Sequence, residues 1–166
     1  IIMCAVSWEK GININNISEN RCASNVFLGV GAIQKCDFIA SELAAQGVNC
    51  VLVMTGKAAY EKTGAWKVVT EELKKHAIKH VLYNKVQPNP ETHQVDEAVA
   101  EGRAAGANAV IAIGGGSPID AGKSAAILLA YPGRTCEELF EMKLEAKKAV
   151  PVVAINLTHC TGSEAN

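Results

Sequence analysis

One run of the chain has the residue types and spacing to hold an anion: Gly114-Gly115-Gly116-Ser117-Pro118-Ile119-Asp120-Ala121-Gly122-Lys123. Three consecutive residues without Cβ let a ligand come right up against the backbone. Ser117 is a preferred N-cap and Pro118 suits the first helical position. Asp120 stands three residues after that cap, where its carboxylate can bond back. The run therefore predicts a helix start directly after the glycines, with backbone N–H groups aimed at bound anionic oxygen. It is neither the G-x-G-x-x-G fingerprint nor the P-loop, so neither of those mechanisms transfers. A tight strand-to-helix turn that binds nothing is the plain alternative. It suits two glycines better than three followed by Ser-Pro-x-Asp.

Three further polar segments, Thr55-Gly56-Lys57, Pro88-Asn89-Pro90 and residues 158–163, follow apolar runs or sit in extended loops. The histidines suggest less. His76 and His80 are four apart, but they follow Lys74-Lys75 near a predicted helix end, which reads as a solvated, dipole-friendly position rather than a metal site. His93 is expected to be exposed. His159 is the one histidine inside a candidate site, where its neighbours suit a cofactor contact and not a metal ligand. Cys160 has no base at a recognisable spacing and reads as space-filling.

The elements that must position these segments follow from periodicity and punctuation. Residues 109–113, Ala-Val-Ile-Ala-Ile, form a short apolar run suited to a strand buried on both faces. Similar runs predict strands over 48–54, 81–83 and 150–155, and a shorter one over 25–29. Helices are expected over 32–46, with Ile33, Phe38, Ile39, Leu43 and Ala44 facing the core, and over 65–76. Another runs from a Thr92 cap to about Ala105, and a short charged helix starts at Thr135. Ile12, Ile14 and Ile17 alternate with asparagines and suggest an edge hairpin within residues 1–24. Strand and helix alternate throughout, which is the order of an α/β, doubly wound, mainly parallel sheet. Ligands of such sheets lie beyond the carboxyl ends of the strands, where all four polar segments fall.

Composition narrows the function classes. The chain has 166 residues, enough for one domain with a real core, and a formal net charge of −1. That charge offers no electrostatic reason to expect nucleic acid or an anionic membrane. Six cysteines are scattered without C-x-x-C spacing, as expected for free thiols in a reducing cytoplasm. The apolar opening is interrupted at Ser7-Trp8-Glu9-Lys10, too early for a signal sequence, and no apolar run approaches membrane-spanning length.

The Gly-Gly-Gly-Ser-x-x-Asp-x-x-Lys run, the Pro88-Asn89-Pro90 segment and Thr161-Gly162-Ser163-Glu164 together resemble the iron-containing (group III) alcohol dehydrogenases. The likeness is to their N-terminal, nucleotide-binding domain, a Rossmann-like fold shared with dehydroquinate synthase. It implies that Gly114, Gly115, Gly116 and Ser117 hold a cofactor pyrophosphate, with Asp120, Lys123, Asn89, Thr158 and Thr161 also at the cofactor. Leu157 stands where the family has a threonine, and Cys160 where it has a glycine. The resemblance implies hydride transfer between a nicotinamide cofactor and a small alcohol or aldehyde, in an enzyme that is a homo-oligomer when intact. It also implies Fe2+ or Zn2+ held by a helical C-terminal domain, so that these residues alone would carry no catalytic or metal-binding group and turn over little. Members commonly carry an acid just after the strand that ends here near Met54. Gly56 and Lys57 in its place favour NADP over NAD, because no carboxylate repels a 2′-phosphate and a cation stands beside it. A glycerol dehydrogenase or dehydroquinate synthase on the same fold, and a non-catalytic nucleotide-binding module, are the alternatives.

Overall fold

The structure, a computed structural model, describes residues 18–21, 25–158 and 162–163 and divides the chain into two compact units, residues 1–35 and 36–166. In the first unit, strand β1 (Ser18–Arg21) pairs antiparallel with β2 (Asn25–Leu28), Ser18 opposite Leu28 and Arg21 opposite Asn25. A 3-10 turn, Ala32–Lys35, follows. This corrects one expectation: β2 belongs to this two-stranded sheet, not to the parallel one. Both end residues of β2 are exposed, whereas an interior parallel strand must be apolar along its whole length. Ile12, Ile14 and Ile17 lie outside the described residues.

The second unit is the doubly wound sheet. Its elements run α1 (Cys36–Ala45), β3 (Cys50–Thr55), α2 (Ala59–Lys62), α3 (Ala65–Lys75), β4 (Lys79–Tyr83) and α4 (Thr92–Ala104). Then come β5 (Ala109–Gly114), α5 (Gly116–Ala130), α6 (Cys136–Phe140) and β6 (Val152–Asn156). The sheet order is β4-β3-β5-β6 and every pairing is parallel. The two central strands are buried at all six positions each, which is why their sequences are unbroken Val, Ile, Leu, Met and Ala between short polar ends. At the edge, β6 alternates exposed Val152, Ala154 and Asn156 with half-buried Val153 and Ile155.

Helices cover both faces. On one, α4 and α5 pack on Leu52, Met54 and Val110. On the other, Leu43 of α1 and Val69 and Leu73 of α3 meet Ile111, Val153 and Ile155. Both helices of the first face carry a glycine where they approach the sheet: a Cβ at Gly102 would stand 3.2 Å from Leu52 Cδ2. At Gly122 it would stand 2.7 Å from the Ala112 Cβ.

The helix expected over 32–46 is divided into the 3-10 turn and α1. Of its five expected core residues only Leu43 is fully buried, alongside Cys36 and Ala40, and Phe38 is 43% exposed. Buried positions 36, 40 and 43 mark one helical stripe, and Phe38 lies about 200° round from Cys36. Thr92 is the first residue of α4 and not its cap, which is Glu91 without a side-chain cap bond. Thr135 does cap α6, in a reciprocal capping box with Glu138.

Candidate functional site

Sheet topology selects the site. From β3 the chain crosses to β4 on one side, then returns past β3 to β5 on the other, so the order reverses between β3 and β5. In open α/β sheets a crevice forms beyond the carboxyl ends of the strands at such a reversal. Gly56 and Lys57 leave β3 there, and Gly114 to Ser117 leave β5.

The glycine turn is built differently from the sequence expectation. Helix α5 starts at Gly116 with Gly115 as N-cap, so Ser117 and Pro118 lie inside its first turn. Pro118 is tolerated because the first-turn N–H groups lack intrahelical acceptors anyway. The first described helical bond runs from Ile119 N–H to the Gly115 carbonyl at 3.3 Å. Ser117 therefore does not cap. Its Oγ accepts the backbone N–H of Asn89 at 3.3 Å, which ties the Pro-Asn-Pro loop to the turn. Asn89 adopts the left-handed conformation, φ 55°, between its two prolines. Asparagine tolerates this region better than most side chains. Gly114, at φ 157°, is required by packing: a Cβ there would fall 2.6 Å from Pro118 Cγ.

Neighbouring loops are held at the same edge. The Val86 N–H bonds the Thr55 carbonyl at 3.2 Å, and the Leu157 N–H bonds the Gly114 carbonyl at 2.9 Å. Gln94, 6% exposed at the start of α4, donates through Nε2 to the Lys85 carbonyl at 3.3 Å. Nothing in the sequence singled out Gln94; a buried amide on an otherwise apolar helix face was the available signal. Lys57 and Thr158 are exposed beyond β3 and β6. A Cβ on Gly56 would meet the Val86 carbonyl at an ordinary 3.5 Å, so a side chain fits there.

Asp120 and Lys123, both expected at the cofactor, pair with each other at 3.4 Å, and both bond Ser163. Lys123 Nζ donates to the Ser163 carbonyl at 3.0 Å, and Ser163 Oγ donates to Asp120 Oδ2 at 3.2 Å. Thr161, His159 and Cys160 lie outside the described residues.

His76 and His80 do not enter the site. His76 is the C-cap of α3, and its Nε2 lies 3.0 Å from Asp37 Oδ1, so it is paired across to α1 instead of simply solvated. His80 is exposed, with its ring edge-on to Trp66 at 5.3 Å. Asp37, Glu72 and His76 offer ligand atoms within 4.8 Å of one another. These three lie at the start of α1 and the end of α3, not in the loops beyond the carboxyl ends of the strands, so they do not fit a metal acting beside a cofactor at the glycine turn.

Sequence comparison agrees with this geometry. The family model for iron-containing alcohol dehydrogenases matches residues 23–166. The chain belongs to the iron-containing alcohol dehydrogenase family. It is 48% identical over 157 residues to a long-chain primary alcohol dehydrogenase, AdhA, of Thermoanaerobacter ethanolicus, covering 95% of this chain and 39% of that protein. It is 31% identical over 137 residues to an NAD-dependent methanol dehydrogenase of Bacillus methanolicus, covering 82% of this chain and 35% of that one. The crystal structure of an NADH-dependent butanol dehydrogenase A from Thermotoga maritima superposes with a TM-score of 0.71 at 32% identity, over 80% of this chain and 32% of that chain. The chain thus spans between about a third and two fifths of the length of these family members. Its parallel, Rossmann-like sheet is the family's fold. Among the described residues no helix is long and apolar enough to cross a membrane.

Proposed function

We propose that this chain supplies the cofactor-binding part of an alcohol or aldehyde oxidoreductase of the iron-containing family. The observation that carries the reading is the glycine turn, where Gly115 caps α5 beyond the reversal of strand order. Backbone at Gly115 and Gly116 can approach a pyrophosphate, and the positive end of α5 favours its charge. Ser117, held by the Asn89 N–H, fixes the facing wall of the turn. A bound nicotinamide supplies or accepts the hydride; the residues here bind and orient it. Among the described residues no group at this edge fits the family's metal, so polarisation of the alcohol oxygen is assigned to none of them.

Within that reading NADP(H) is the preferred cofactor, on the strength of Gly56 and the exposed Lys57 beyond β3. The methanol and butanol dehydrogenases named above are NAD- or NADH-dependent, so the preference rests on these two residues alone. Cysteines without motif spacing support a reducing, cytoplasmic setting.

Calorimetric titration with NADH and NADPH tests the reading. Both should bind the chain, and Gly115→Val, which sets a β-branched side chain where the pyrophosphate approaches, should abolish binding while the circular dichroism spectrum is kept. Unchanged affinity in that variant would move the site elsewhere.

A further inference from the structure

We infer that Gln94 is a positioning residue for the cofactor site: from α4 it fixes the peptide at the base of loop 84–91, and with it the wall that this loop sets beside the glycine turn. The inference rests on the cofactor site proposed above.

Loop 84–91 joins β4 to α4 across the carboxyl edge of the sheet and has no helix or strand of its own. One peptide group anchors its base. The Lys85 carbonyl and the Val86 N–H belong to that group, a planar unit whose two polar ends point in opposite directions. The N–H donates to the Thr55 carbonyl at the end of β3, at 3.2 Å. The carbonyl accepts Gln94 Nε2 from α4, at 3.3 Å. The group is thus held between strand and helix, and its orientation sets the direction in which the chain leaves it. Asn89 follows three positions on from Val86, a reach of about 10 Å at most. There the tip meets α5, where the Asn89 N–H donates to Ser117 Oγ at 3.3 Å. A tilt at the base is carried to the tip through so short a span, which Pro88 stiffens.

The chemistry of the residue points the same way. The other buried positions of α4 are Val95, Ala98, Val99 and Gly102. Gln94 is as deeply buried, and its Oε1 has no hydrogen-bond partner within the protein. A leucine or methionine of similar size would leave no polar atom unsatisfied there. The amide therefore costs stability at its acceptor end, and what its donor end supplies is the bond to Lys85. Only the NH2 group can meet a carbonyl oxygen, so Lys85 dictates which end of the amide faces the loop. Natural proteins accept such a local cost chiefly where a functional site needs the group.

The experiment uses the full chain and the variants Gln94→Met and Gln94→Leu, which remove the donor with different packing. Hydrogen exchange is followed at Val86 and Asn89 in the loop and at Ala98 and Val99 in α4, with and without saturating NADH or NADPH. Calorimetry gives the dissociation constants. Without nucleotide, both variants should speed exchange at Val86 and Asn89 by about threefold to tenfold, the reach of one net hydrogen bond. Ala98 and Val99 should be unchanged. Affinity should fall by about twofold to fivefold, as the fraction of chains with a docked loop falls. Bound nucleotide should slow both loop amides, in the variants more than in the unmodified chain, because a ligand that needs the docked loop must favour it. A residue that only packed α4 would instead loosen Ala98 and Val99 and leave the nucleotide effect at the loop as it was. That pattern, loop amides untouched in both variants, or affinity unchanged while the loop opens would each overturn the inference. Failure of the unmodified chain to bind either nucleotide would overturn the proposed function, while exchange at Val86 and Asn89 still decides whether Gln94 holds the loop.

Discussion

Gly122 of α5 lies so close to Ala112 of β5 that a Cβ added at 122 would stand 2.7 Å from the Ala112 Cβ. Both atoms are beyond easy relief, since Ala112 is fully buried and its β-carbon is fixed to a central strand. The contact sets how near the helix that carries the glycine turn can come to the sheet. Gly122→Ala should therefore destabilise the chain by about 1–3 kcal/mol, the usual cost of overpacking. Urea denaturation of the two forms measures it; an unchanged midpoint would show that the helix yields.

Gly114 and Gly115 should separate stability from binding. Gly114→Ala places a Cβ 2.6 Å from Pro118 Cγ at φ 157°, so its main effect should be a lowered unfolding midpoint, by about 1–3 kcal/mol. Gly115, at φ −89°, is in ordinary extended backbone as the N-cap, and Gly115→Val should act chiefly on nucleotide affinity. Thermal denaturation beside calorimetry distinguishes the two.

Cofactor choice should follow residue 56. Gly56 has room for a side chain, since a Cβ there would stand 3.5 Å from the Val86 carbonyl oxygen. Gly56→Asp should weaken NADPH through like-charge repulsion and raise the relative preference for NADH. Equal binding of both nucleotides by the unmodified chain at low and high salt would remove the argument for NADPH.

Acid should loosen the contact between β4 and α4. Glu97 accepts Lys85 Nζ at 2.7 Å and the Tyr83 hydroxyl at 2.9 Å. The Lys85 bond first, and then the Tyr83 bond, hold the Glu97 carboxyl below its ordinary value, while burial followed by Glu97 pushes the Tyr83 phenol up. A depressed carboxyl contributes stability in full above its unfolded value, 4.5, and loses it as pH falls through the folded value. The stability gap between the unmodified chain and Glu97→Gln should thus be present at neutral pH and shrink below pH 4.5. A gap that stays constant on acidification would assign the effect to packing.

Buried thiols should be inert. Burial, with Glu72 adding to it, raises Cys36 to about 11, and burial with Asp96 raises Cys136 to about 11. Cys50 is also buried and free. Iodoacetamide at pH 8 should modify none of the three until the chain is unfolded, since the thiolate is the reactive form. Peptide mass mapping before and after urea reads this directly; rapid native labelling at Cys36 or Cys136 would contradict it.

Much of this protein was legible along the chain because its signals are local. The apolar runs of β3 and β5 need burial on both faces, so composition alone marks them as central strands. The three glycines and the capping box at Thr135 likewise announce their turns from neighbours in sequence. Tertiary structure decided what depends on residues distant in the chain. Strand 25–28 pairs with 18–21 because pairing is settled by whole-sheet burial, which a four-residue run cannot specify. The start of α5 moved to Gly116 because Ser117 Oγ is occupied by Asn89, 28 residues away. Asp120 and Lys123 stand one turn apart on α5, and that spacing could not announce their bonds to Ser163, more than 40 residues on from Asp120. Hydrogen-bonding capacity is written in residue type, but which partner satisfies it is chosen only when the chain closes on itself.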